Sequence, residues 1–172
     1  MTGGFGVVPK RINRKIENLS DEQKNSVKND ISNLDSEIKN ISNETGVPIS
    51  PDNRQNIENA LIDAKTKGSD AAIKAGMQSI PSFAEMYFEN YKNYGVSDSN
   101  NICVNSDGFK SILSSIDKYS SKPTACNPSY YPSKSFTIIV QSPANAIYCI
   151  DQNGFLVTMS APSYFITGVK CK

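Results

Sequence analysis

Few side chains in this sequence could do chemistry at a fixed place, and four of them are cysteines: Cys103, Cys126, Cys149 and Cys171. No two are separated by the two-residue gap of a redox dithiol or a zinc knuckle, and the chain has no histidine to complete a mixed metal site. A zinc site built from all four would need unusually wide gaps. An even number of widely spaced cysteines among turn-rich segments reads better as two disulfides, and hence an oxidising compartment. Four cysteines allow three connectivities and the sequence does not choose among them. The expectation taken forward is sequential pairing, Cys103 with Cys126 and Cys149 with Cys171. Each bridge would close a ring of a little over twenty residues, worth roughly 3 kcal/mol in the chain-entropy model.

The remaining chemistry is sparse. Without histidine there is no His-based triad, general base or metal ligand. A nucleophile would have to be serine or cysteine beside lysine or a carboxylate, yet pairs such as Ser121-Lys122 are ordinary loop composition. Asp98, Asp107 and Asp151 lie in turn contexts, where carboxylates act as local caps. Gly3-Gly4-Phe5-Gly6 lacks the lysine and the preceding strand of a phosphate loop. Asp151-Gln152-Asn153-Gly154 lacks the later acidic ligands of a calcium loop and reads as a hairpin turn, with Asn-Gly where positive φ is needed. These gaps argue against an enzyme, a cofactor and a small-molecule substrate. With 18 basic and 17 acidic residues there is no footprint for nucleic acid. The longest apolar run, Ala146 to Ile150, is far too short to span a membrane, so a soluble domain is expected.

The element that must position these residues runs from Asn59 to Gly95. Ile73, Met77, Ile80, Ala84, Tyr87, Tyr91 and Tyr94 recur at steps of four and three, a single stripe along a helix that must be buried against something. Pro81 predicts a kink, and Gly95 a C-terminal cap. Ser50-Pro51 supplies an upstream start, so one long helix over 51–94 is expected. Before it, residues 1–50 form a helical extension: a short amphipathic helix over Lys10 to Leu19, then a capping box at Ser20 and Gln23. Val27, Ile31, Leu34, Ile38 and Ile41 follow as two heptads, stopped by Gly46 and Pro48. The sequons at Asn18, Asn40 and Asn43 are expected by chance in so Asn-rich a region.

After the long helix, residues 95–134 read as a loop region with one small helix beginning at Ser106. That helix presents Phe109, Ile112, Leu113 and Ile116, and three prolines keep 122–133 irregular. Residues 135–172 change to strand period: Ser135 to Gln141, Ala146 to Ile150, Phe155 to Met159 and Tyr164 to Lys170. The fold class is therefore α+β, a long spine helix on a small antiparallel β-meander, with residues 51–172 as the principal domain.

The run Ala64 to Met77 (AKTKGSDAAIKAGM) resembles the segment after the hydrophobic part of a bacterial type IV pilin helix, and Ala84 to Phe88 and Tyr91 to Gly95 resemble its end. The order downstream is also similar. Cys103 follows the helix, Cys126 the small helix, and Tyr148-Cys149-Ile150-Asp151 with Gly154 precedes a near-terminal Cys171. The resemblance covers about residues 59–172. It implies a non-catalytic structural subunit of an extracellular, bacterial surface filament, whose partners are copies of itself or related pilins. The alternative it implies is a minor pilin, pseudopilin or adhesin-like module presenting a surface in secretion, adhesion or DNA uptake. In such pilins an apolar N-terminal helix anchors the subunit in the membrane. Here polar residues 1–58 stand where that helix would be, so any membrane association would need an anchor that this sequence does not supply.

Overall fold

Ser20 opens the first complete helix in the way its spacing predicts. In the computed structural model, which describes residues 16–129, 131–159 and Cys171, the Ser20 hydroxyl accepts from the Gln23 amide at 3.3 Å. The Gln23 side chain accepts from the Ser20 amide at 3.1 Å in return. Helix α1 (Asp21–Thr45) runs from there to Gly46, whose φ of 69° provides the left-handed cap. Only the first half of the heptad stripe is covered: Val27 and Ile31 are buried, Leu34 and Ile38 half-buried, and Ile41 exposed.

Helix α2 (Pro51–Tyr91) is 41 residues long, about 60 Å at the usual rise. Ser50 caps it by accepting from the Asn53 amide at 3.2 Å, and Pro51 occupies the first turn, where its missing N–H costs nothing. Pro81 lies inside the helix without ending it. The C-terminal cap is Lys92, at φ 57°, with its amide donating to Phe88 O at 2.6 Å. This corrects the expectation that the helix runs to residue 94 and stops at Gly95. Gly95 instead enters strand β1 (Gly95–Ser97), paired with β2 (Asn100–Asn101). A Cβ at Gly95 would lie 2.9 Å from Asn101 Cα, so close backbone approach, not capping, requires glycine there.

Next come a four-residue helix, α3 (Ile102–Asn105), and α4 (Asp107–Asp117), capped by the Ser106 hydroxyl on the Phe109 amide. The sheet is an antiparallel meander in the order β3 (Ala125–Pro128), β4 (Phe136–Gln141), β5 (Ile147–Asp151) and β6 (Leu156–Met159). Strand β3 corrects the irregular reading of 122–133. Pro123 precedes it, Pro128 ends it and Pro132 follows it, so the prolines bound the strand, and among the described residues β3 pairs only with β4. The expected strand over Tyr164 to Lys170 and most of the expected helix over Lys10 to Leu19 lie outside the described residues. The β5–β6 turn is only partly as expected: Gly154 has φ 76° and donates to Asp151 O at 2.9 Å, but Asn153 is not at positive φ.

Two apolar clusters divide along α2. Ile16, Leu19, Val27, Ile31 and Ile62 join α1 to its N-terminal half. Its C-terminal half lies under α4 and one face of the sheet, where Ile73, Met77, Ile80, Ala84 and Tyr87 meet Phe109, Ile116, Phe136, Ile138, Tyr148 and Ile150. The structure is thus α+β, with a long helix packed on a small antiparallel sheet.

Candidate functional site

The spine stripe is where the sequence placed its packing residues, and all of the seven but Tyr91 are in the buried cluster. Ile73, Met77, Ile80, Ala84 and Tyr87 are buried in a single cluster with the sheet. Tyr91 is not; it is 61% exposed, with its ring 4.6 Å from that of Tyr87. The reason is the early end of α2, because the chain turns away at Lys92. Tyr94 fills the corresponding core place, edge-on to Phe136 at 4.9 Å.

The helix-to-helix contact in the head depends on two missing side chains. A Cβ at Gly76 would lie 2.7 Å from Ile116 Cγ1, and one at Gly108 would lie 2.9 Å from Phe83 Cε1. Helices α2 and α4 therefore approach closely because glycine faces a large apolar side chain on each of them.

Both disulfides form with the expected connectivity, Cys103–Cys126 and Cys149–Cys171. The first ties α3 to β3; the second ties the buried Cys171 to the centre of β5. Cys149 and Cys171 join Ile139 and Ile147 in a third apolar cluster, containing the β4 and β5 residues that alternate with those facing α2.

Polar contacts that the stripe gives no hint of bind the layers. The Tyr148 hydroxyl donates to Asp70 Oδ1 at 2.6 Å, and Lys74 Nζ pairs with Asp70 Oδ2 at 3.1 Å while lying 5.1 Å from the Tyr148 ring centre. Burial pushes the Asp70 carboxyl up, but the hydrogen bonds from Tyr148 and Lys74 outweigh it and leave it below the ordinary range. Burial, then the neighbouring Asp70, pushes the Tyr148 phenol up. Between α1 and α2, Arg54 bridges Asp35 at 2.6 Å and the buried Glu58 at 3.0 Å. Lys65 reaches Asp30 at 3.1 Å and the Ser26 hydroxyl at 3.0 Å, and Gln23 donates to Ser69. The order of these partners shows that the two helices run antiparallel.

Of the candidate carboxylates, Asp151 acts as a local cap, accepting from the Asn153 amide at 2.9 Å, while Asp107 lies exposed in the first turn of α4, where Ser106 is the cap. Asp98 instead lines a groove beside the first disulfide. Ser121 donates to Gln141 O at 3.1 Å, joining the segment after α4 to the end of β4. Among the described residues no group of His, Cys, Asp or Glu is placed to hold a metal ion, and no helix is long and apolar enough to cross a membrane. What the arrangement offers chemically is rigid surface: a helix and a sheet locked together, with loops held by disulfides. No protein-family model, curated protein or solved structure matches the chain.

Proposed function

We propose that the chain is a non-catalytic structural subunit of an extracellular filament of the type IV pilus kind, its partners being further copies of itself or related subunits. The observation that supports this most is the 41-residue helix, half of which lies against a disulfide-pinned antiparallel meander. A subunit of this kind needs a rigid rod that extends past a compact head. The two disulfides favour an oxidising, extracytoplasmic setting. The same arrangement explains why α2 needs no reactive group: its conspicuous residues are spent on packing. Helix α1 covers one side of the N-terminal half of α2, so it would have to stay on the surface of such a filament or be displaced during assembly.

The test is to place an apolar pilin-type helix ahead of Asn59 and express the protein in a bacterium with a pilus assembly machine. Immunogold-labelled filaments carrying this chain are the expected result. Membrane-inserted protein with correct disulfides and no labelled filament would overturn the reading. A second reading, a monomeric binding module, is favoured by the exposed Met86 and Tyr91, which line one groove at the end of α2. It predicts a single discrete partner and no assembly when the apolar helix is supplied.

A further inference from the structure

Beside the first disulfide, where the β1–β2 ribbon, α3 and β3 meet, the surface opens into a groove of about 380 Å³. The Cys103–Cys126 bridge, Asp98, Val104, Asn127 and Tyr131 line it. One buried side chain holds this region in register. Asn101, only 3% exposed, donates from its carboxamide nitrogen to Asp98 O at 2.8 Å, Ser97 O at 3.2 Å and the Tyr131 hydroxyl at 3.4 Å. Its carboxamide oxygen accepts from the Cys103 amide at 2.9 Å. The aspartate loop, the disulfide-bearing helix and the tyrosine are therefore placed relative to one another before any ligand arrives.

The lining has a distinct chemistry. The Tyr131 hydroxyl accepts from Asn101 and hydrogen-bonds to the Asp98 carboxylate, while the residue as a whole remains 37% exposed. Asn127, half-buried on β3, lines the groove, and a carboxamide can both donate to and accept from a ligand. Asp98 is the one charged side chain among the described lining residues, and no lysine or arginine accompanies it. Phosphate and carboxylate ligands are thereby repelled. A neutral ligand with adjacent hydroxyls suits the groove: a carboxylate accepts from them, a carboxamide donates and accepts, and an aromatic face covers C–H groups. The volume lies in the range of small-ligand sites.

We propose that this groove binds a neutral saccharide, one ring lying on Tyr131 with neighbouring hydroxyls held by Asp98 and Asn127. The proposal does not rest on the filament reading, and its test reads sugar binding alone.

The test is saturation-transfer NMR on the full chain with a panel of neutral sugars: galactose, mannose, N-acetylglucosamine, lactose and cellobiose. At least one should bind, with Asp98→Asn and Tyr131→Ala each weakening it by about tenfold or more. Tyr131→Phe, which keeps the ring, should stay within about threefold of the unaltered chain, and Tyr91→Ala, outside the groove, should have no effect. The substituted side chains are at least partly exposed, and circular dichroism checks that each variant is folded. Absence of transfer to every sugar at ~10 mM would overturn the proposal, because weaker binding would carry no specificity. Binding that survives both Asp98→Asn and Tyr131→Ala would overturn it equally.

Discussion

Asp70 lies on the helix but answers to the sheet, since Tyr148 on β5 is one of its partners. A carboxyl held below its unfolded value of 3.8 stabilises the fold fully at pH well above that value, and the contribution is lost as pH falls through the lower, folded value. The urea midpoint should therefore drop on acidification below about pH 4, and Asp70→Asn should flatten that acid limb. Tyr148→Phe removes a hydrogen bond to a charged acceptor and should cost about 1.5–3 kcal/mol at pH 7, measured by urea denaturation followed by circular dichroism. The phenol carries the opposite sign. Its raised value means a contribution present below its unfolded value of 10.0 and lost as pH rises through the folded one, so the alkaline limb should soften in the same variant. Half of this cluster was legible beforehand: Asp70 and Lys74 stand four apart on a helix, a spacing that brings opposite charges together. Tyr148 is 78 residues away from Asp70, and no local pattern announces such a pairing.

Two glycines in α2 should respond in opposite directions to the same substitution. Gly68 has open space where a Cβ would go, so Gly68→Ala should stabilise by about 1 kcal/mol through helix propensity alone. Gly76 faces the stiff, β-branched Ile116, so Gly76→Ala should destabilise by about 1–3 kcal/mol through overpacking. Thermal unfolding of the two variants side by side decides the matter; equal shifts would mean that the α2–α4 contact is loose. The elements best read from sequence were those with local signals, namely the Ser20–Gln23 box, the Ser50-Pro51 start, the stripe from Ile73 to Tyr87 and the Ser106 cap. Strand β3 was missed because its identity rests on pairing with β4, a non-local fact, while its three flanking prolines speak locally against it. The stop at Lys92 was missed because a lysine in left-handed conformation gives no compositional warning, whereas Gly95 three residues later does. The saccharide groove has no motif at all: its described lining comes from two separate stretches of chain, 98–104 and 126–131, that only the fold brings together.

Across the whole molecule the two apolar clusters on α2 differ in size, and their stabilities should differ accordingly. Among the described residues the α1 cluster holds five buried side chains, against fourteen in the head cluster. Amides of α1 should therefore exchange with solvent faster than those of β4 and β5. Ile62→Ala, costing about 2–5 kcal/mol locally, should speed exchange in α1 while leaving the sheet protected. Uniform acceleration across both parts would mean one cooperative unit. The connectivity of the covalent chain carries a further consequence. Each disulfide closes a ring within the head, over 103–126 and 149–171, and neither ring encloses any part of α2. A protease cut inside a ring leaves its two pieces joined and invisible on a non-reducing gel. A single cut between Lys92 and Ile102 severs every covalent link from the rod to the head, oxidised or not. Buried side chains and a few hydrogen bonds, among them Tyr148 to Asp70, Ser20 to Lys118 O and Lys134 to Lys92 O, would then hold them, so a nicked molecule that stays whole in buffer should fall into two fragments in urea without any reductant.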